Sequence, residues 1–297
     1  MRLRERLWNP HVVVFLSSAC IMVIELVASR MIAPRLGVSL YTWTSVIGVI
    51  LAGISLGNYL GGRLSDRRGS FPFLGLVLAL ASIASLGILW LNNDLHEIEV
   101  PKSVPFMVWI VSYIAAVFFV PSALLGCVSP IVVKLSLTNL EHTGTTVGKI
   151  YAWSSVGSIV GTFATGFYFI SWFGTKTIVL LVSGLLMLMA FWFLTCAPLR
   201  KALMRAGVAV CLFGLLVWLL YRGGFLNREC LLETNYFCIN VNEEEIGGKQ
   251  VRELVLDRLV HSYSDLDDPA NLVYGYERTY AQLIRPMTER KPDLDAL

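Results

Sequence analysis

Charge is scarce in this chain. Only 15% of its 297 residues are Asp, Glu, Lys or Arg, against about 25% in soluble domains. That shortage excludes a water-soluble globule, a disordered chain and a nucleic-acid binder. Histidine is scarcer still, with four scattered residues, and no C-x-x-C occurs. No zinc ligand set is therefore visible, and no metal is expected. The polar C-terminal stretch also has no G-x-G-x-x-G, so it lacks a phosphate-cradling loop of that kind.

What is abundant is apolar. Hydrophobic residues make up 56% of the chain, and mean hydropathy is +0.65. The net charge of +3 hides a division. Residues 1–225 carry 16 Lys/Arg against 7 Asp/Glu, and residues 226–297 carry 8 against 14. All eight Trp lie in the first part. The expectation is a basic transmembrane helix bundle over 1–225 and an acidic tail over 226–297.

About 20 apolar residues in a helix cross the hydrocarbon of a bilayer. Seven stretches qualify: 11–32, 41–61, 72–91, 105–128, 148–170, 177–196 and 206–222. The first is too long for a cleaved signal peptide and carries Glu25. Counted by alternation, the N-terminal side holds 11 Lys/Arg and the other side 5. The positive-inside rule then predicts a cytoplasmic N-terminus and, with seven crossings, an extracytoplasmic tail of an inner-membrane protein.

Two segments look alike. Tyr41-Thr42-Trp43-Thr44-Ser45 and Tyr151-Ala152-Trp153-Ser154-Ser155 each open an apolar stretch followed by spaced glycines. Gly53, Gly57 and Gly61 stand four apart on one helix face, the small-residue device that lets membrane helices approach closely. Ala33-Pro34 and Ser129-Pro130 precede the two segments. A three-plus-three repeat has an odd number of helices per copy, so its second copy is inverted, as in many secondary transporters.

Glu25 lies inside the first stretch. A carboxylate at that depth costs about 2.5–3.5 kcal/mol on insertion scales, so it faces the bundle interior. It is either a proton or cation site or part of a structural contact between helices. Arg30, about 140° round the helix, is a poor same-helix partner. In the tail, Tyr236–Val241 and Val251–Ser262 are β-like, Gly247-Gly248 is a turn signal, and Leu272–Met287 reads as a helix ended by Pro292. Cys230 and Cys238 flank the first strand. A disulfide between them requires a turn around Leu231–Asn235, and an extracytoplasmic tail would permit it.

Two likenesses emerge. Gly62-Arg63-Leu64-Ser65-Asp66-Arg67-Arg68-Gly69 resembles the G-x-x-x-D-R-x-G loop of the major facilitator superfamily, in which the Asp and Arg latch neighbouring helix ends during gating. Arg63, Asp66 and Arg67 are the corresponding gating-loop candidates. Over a longer span the chain resembles bacterial membrane proteins that fuse a major-facilitator-like bundle to a spermidine synthase (polyamine aminopropyltransferase) domain. The likeness rests on Glu25-Leu-Val-Ala-Ser-Arg30 through Arg67, and on Glu233-Thr234-Asn235-Tyr236, Leu256-Asp257, His261-Ser262, Asp268-Pro269, Tyr274 and Tyr276-Glu277.

That resemblance implies aminopropyl transfer from decarboxylated S-adenosylmethionine to putrescine. The family's Leu-Asp-Gly-x-x-Gln keeps Leu256-Asp257 here, with Arg258 and His261 in place of Gly and Gln. The family's Tyr-His-Glu becomes Gly275-Tyr276-Glu277. Asp257, His261, Tyr276 and Glu277 are the implied substrate-binding candidates. The family's glycine-rich loop and later Asp residues would follow Leu297. This chain is therefore expected to correspond to the N-terminal portion, with no catalytic residue or cofactor of its own, and to need a separately encoded Rossmann-like half. Two other readings stay open: a transporter-like bundle moving a small solute, which would need a homodimer, and a non-enzymatic extracytoplasmic binding or assembly module. The lipid bilayer is the one partner common to all three.

Overall fold

The computed structural model describes residues 9–94, 104–137, 142–196, 199–227, 230–234, 236–268 and 270–290. The chain forms two compact units, Met1–Arg228 and Glu229–Leu297. In hydrocarbon every backbone polar group must be satisfied within its own segment, so long apolar runs become helices.

The first unit contains α1 (Pro10–Leu36), α2 (Leu40–Arg68), α3 (Phe71–Asp94), α4 (Phe106–Gly126), α5 (Val128–Ser136) and α6 (Thr143–Ala164). A π-helical turn (Thr165–Phe169), α7 (Ile170–Phe173), α8 (Thr175–Leu194) and α9 (Leu199–Arg222) follow. Among the described residues, seven spans are long and apolar enough to cross a membrane, with α4–α5 and α6–α7 each making one.

Local chemistry sets the helix ends. The Asn9 side chain accepts from the His11 N–H at 3.0 Å, with Pro10 at the first helical position. Ser39 caps α2 by accepting from Thr42 N–H at 3.2 Å. The basic segment after residue 61, expected as a loop, continues α2 to Arg68. Its residues are tolerated in helices, and Arg67 and Arg68 complement the negative end of the helix dipole. Pro34 sits inside α1 rather than ending it, and the chain turns at Gly37, with φ of 78°.

Three helix pairs dominate the packing: α1 on α6, α2 on α4 and α3 on α8. Lipid tails are as apolar as leucine, so helices associate through close packing rather than by escaping water. Glycine makes the contacts close. A Cβ at Gly57 would run into the Ala123 carbonyl oxygen, and one at Gly53 would stand 3.0 Å from the Phe119 oxygen. On the other pair, a Cβ at Gly157 would run into the Phe15 oxygen, and one at Gly161 would stand 2.7 Å from the Ala19 oxygen. The two sets correspond residue for residue at a spacing of 104: Phe15 with Phe119, Ala19 with Ala123, Gly53 with Gly157, Gly57 with Gly161. The Tyr41 and Tyr151 segments lie 110 apart, so the packing register and the motif register differ by six residues.

Polar bonds cross the same seams. Ser18 and Ser154 hydroxyls meet at 2.6 Å between α1 and α6. Ser82 donates to the Ser183 carbonyl at 2.7 Å between α3 and α8. Arg35 donates to the Tyr113 hydroxyl at 3.2 Å, and Tyr113 donates to Asn92 Oδ1 at 3.1 Å, tying α1, α4 and α3.

The second unit is an antiparallel meander in the order β1-β2-β3-β4, from β1 (Leu232–Glu233), β2 (Cys238–Ile246), β3 (Lys249–Leu256) and β4 (Leu259–Asp265), followed by α10 (Gly275–Arg290). Gly247 and Gly248, at φ of 63° and 79°, make the two-residue β2–β3 turn. Tyr236 and Phe237, read as strand from their aromatic character, belong instead to the turn before β2. There Thr234 Oγ1 accepts from Phe237 N–H at 3.0 Å, and a side-chain bond of this kind competes with the ladder. The helix begins at Gly275, three residues later than its apolar pattern suggested, and it contains Pro286. Pro292 lies outside the described residues.

The glycine seam yields a test with opposite signs. Gly57→Ala forces the α2–α4 backbones apart and should cost about 1–3 kcal/mol, as overpacking does. Gly48→Ala enters open space and should leave stability unchanged or raise it by up to about 1 kcal/mol. Thermal unfolding of the detergent-purified chain measures both. Equal midpoints would refute the close approach.

Candidate functional site

The polar residues singled out in the second unit gather around the β3–β4 hairpin. Asp257 stands in its turn at φ of 54°, a left-handed conformation that Asp adopts more readily than most residues. Its carboxylate accepts from Cys238 N–H at 2.8 Å, and its own N–H donates to the Cys238 carbonyl at 2.8 Å. The buried Asp257 side chain is thereby used to close the fold at Cys238. Cys238 is also joined to Cys230 by a disulfide, with Cα atoms 5.4 Å apart. Between the two cysteines the Thr234 N–H donates to the Phe237 carbonyl at 3.0 Å, beside the pairing of Glu233 with Cys238.

His261 and Tyr276 meet through the backbone. The Tyr276 hydroxyl donates to the His261 carbonyl at 3.1 Å, and Tyr274 donates to the Val260 carbonyl at 3.2 Å. The His261 ring is exposed, while Glu277 is half-buried in the first turn of α10, where its charge favours the helix dipole. Tyr263, Tyr274, Tyr276 and Tyr280 form an edge-to-face ladder with ring centroids 5.4, 4.9 and 5.9 Å apart. This ladder seats the start of α10 on β4. His261 and Tyr276 thus share one surface, Glu277 follows Tyr276 in the first turn of α10, and Asp257 points into the fold.

Two carboxylates of this unit escaped the sequence reading. Buried Glu253 accepts from Asn242 at 3.1 Å and from the Tyr263 hydroxyl at 3.2 Å. Strand alternation puts it on the same face as buried Val251, and that alternation was the available signal. Burial, and then the Glu253 contact, push the Tyr263 phenol up. Asp265 is buried at the end of β4. It accepts from Asn271 at 2.7 Å, from Lys249 at 2.9 Å and from the N–H groups of Asp267 and Asp268. The Asn271 amide and then the Lys249 ammonium hold its carboxyl well below the ordinary carboxylate range, and the same contact pushes Lys249 up. Among the described residues, no three His, Cys, Asp or Glu are grouped to hold a metal.

In the bundle, Glu25 is half-buried midway along α1 and has no hydrogen-bond or ion-pair partner among the described residues. Arg30 is half-buried further along the same helix. The structure does not bring the two together. Asp66 pairs with Lys134 at 3.3 Å, joining the ends of α2 and α5. Lys134 was counted in the sequence only as a topology charge. Arg63 lies 5.2 Å over the Tyr59 ring, and Arg67 is exposed at the end of α2. Comparison of the chain with family models, with curated proteins and with solved structures finds no match.

The Asp265 cluster gives a pH prediction. A carboxylate whose folded pKa lies below its unfolded value, near 3.9, stabilises fully above that value and loses the contribution as pH falls through the folded one. Lys249 has the reverse sign, so the pair is intact across neutral pH. Hydrogen exchange over residues 249–268, corrected for intrinsic rate, should rise as pH falls below about 4, and Asp265→Asn should remove that dependence. A wild-type profile identical to the variant's would contradict it. Separately, an eight-residue loop predicts that Cys230→Ser with Cys238→Ser costs about 2.5 kcal/mol on chain-entropy grounds, readable as faster exchange in β2.

Proposed function

We propose that this chain is the membrane-bound N-terminal portion of an aminopropyltransferase-type protein: a helix bundle carrying the β module that, in spermidine synthases, stands before the nucleotide-binding domain. The observation that carries this reading is the contact between Tyr276 and His261. The Leu256–Ser262 and Tyr274–Glu277 stretches, on which the resemblance rests, meet on one surface although separated in sequence. Such a surface would form one wall of an amine site and would be completed by a Rossmann-like half that binds decarboxylated S-adenosylmethionine. Asp257 then acts by holding the hairpin rather than by touching substrate.

The bundle in this reading is a three-plus-three inverted repeat of the major-facilitator kind. The 104-residue correspondence supports it. Exchanging the first three spans for the next three turns the α1–α6 contacts into the α2–α4 contacts and returns α3–α8 to itself, which is what a two-fold axis in the membrane plane requires.

A second reading is favoured by the Cys230–Cys238 bridge: a non-enzymatic extracytoplasmic module on a helical anchor. Disulfides persist outside the cytoplasm, whereas decarboxylated S-adenosylmethionine is cytosolic. Paired C-terminal reporters, one active only in the cytoplasm and one only outside, separate the readings. Membranes holding this chain alone should transfer no aminopropyl group to putrescine. Adding a Rossmann-like half should restore transfer, and Tyr276→Ala should then lower kcat/KM by tenfold or more, a loss of about 1.4 kcal/mol. An external reporter signal together with no restored transfer would overturn the aminopropyltransferase reading.

A further inference from the structure

A groove of about 930 Å3 opens on the side of the bundle between α3 and α9. Its walls are apolar. Phe73, Leu76 and Leu80 line it from α3, and Met204, Val208 and Leu212 from α9. All but Phe73 are exposed. α9 is the least buried of the seven spans, so its side chains do not fill the space against α3.

One end of the groove is cationic. Arg67, Arg68, Lys134 and Arg205 converge there around one carboxylate, Asp66. Lys134 already engages Asp66. No carboxylate among the described residues pairs with Arg67, Arg68 or Arg205. The rim therefore carries an excess of three positive charges. The Ser70 hydroxyl and the N-terminus of α3, the positive end of its dipole, lie on the same rim.

Depth distinguishes the occupants. From Phe73 to Ile83 the α3 wall runs ten residues, about 15 Å at the helical rise, which is half of a hydrocarbon core of about 30 Å. Set in a bilayer, a groove of that length that starts at the helix ends would reach from the headgroups to near the midplane. A free anion would use only the rim and leave the apolar wall unoccupied. A zwitterionic lipid would fill the wall and leave the rim's charge uncompensated. We propose that the groove holds one anionic glycerophospholipid, its phosphate against Arg68 and Arg205 and one acyl chain along the wall between α3 and α9. The proposal rests on the membrane reading of the bundle and is independent of any aminopropyltransferase role.

The test uses the full chain in detergent, titrated with phosphatidylglycerol or phosphatidylcholine of identical acyl chains and read by native mass spectrometry. The expected result is one phosphatidylglycerol retained per chain, with clear preference over phosphatidylcholine. Arg205→Gln should weaken retention roughly fivefold, and Arg68→Gln with Arg205→Gln about thirtyfold, at about one charge interaction per side chain. Arg205→Lys should restore most of it. Leu80→Trp, which fills the wall and keeps every charge, should abolish retention while the unfolding midpoint measured without lipid stays within a few degrees. Equal retention of the two lipids, or undiminished phosphatidylglycerol retention in both the double-charge and Leu80→Trp variants, would overturn the proposal. So would full displacement of the lipid by millimolar glycerol phosphate, because the rim alone would then be the site.

Discussion

The bundle depends on how closely two backbones can approach. In water, burying leucine drives helices together at about 25 cal/mol per Å2 of apolar surface. In lipid that drive vanishes between helices, and dispersion at short range must replace it. Glycines set the distance here, Gly126 against the Ile54 oxygen among them. Gly53 and Gly57 admit α4 against α2, and Gly157 and Gly161 admit α6 against α1, each at separations where a methyl group would press on an atom of the facing helix. The serine bonds from Ser18 to Ser154 and from Ser82 to Ser183 are made across helices at comparable closeness. They follow from the approach rather than cause it, since hydroxyls on short side chains reach a neighbour only when the backbones are near.

Hydropathy located the seven spans, because twenty apolar residues in hydrocarbon have few alternatives. It could not place their ends. Arg63 to Arg68 looked like a loop from charge alone, yet helix propensity and the C-terminal dipole carry α2 through them. Gly53 and Gly57 were legible as a packing face, but not which helix they meet, since a small-residue stripe carries no address. The likeness of the Tyr41 and Tyr151 segments pointed to a repeat. The packing correspondence falls six residues away from it, at contacts that depend on three dimensions rather than on matching letters.

The second unit was legible in its turns and opaque in its polar interior. Gly247-Gly248 marked one hairpin through its conformational requirement, and Cys230 and Cys238 stood at a spacing that a turn could close. The buried carboxylates were missed for a common reason. Glu253 and Asp265 look like surface residues in an acidic stretch, and only their partners Asn242, Tyr263, Lys249 and Asn271 make burial tolerable. Asp257 was singled out as a ligand contact, and the structure gives it a local task at Cys238. Resemblance identifies a residue type at a position, while the hydrogen bond identifies what that residue does.

The π-helical turn at Thr165–Phe169 has its own effect on the outer surface of the bundle. A widened turn holds one residue more than an α-turn, so everything beyond it is rotated by about 100° relative to a regular helix. Before the turn, Gly157 and Gly161 press on α1. Near and beyond it, Phe167, Tyr168 and Trp172 are displayed outward, where large amphipathic rings prefer the boundary between lipid and water. Phe163, exposed before the turn, stacks on Phe167 within it at 5.5 Å, so the widened turn carries the outward aromatic row on from the side of the helix opposite the glycine seam.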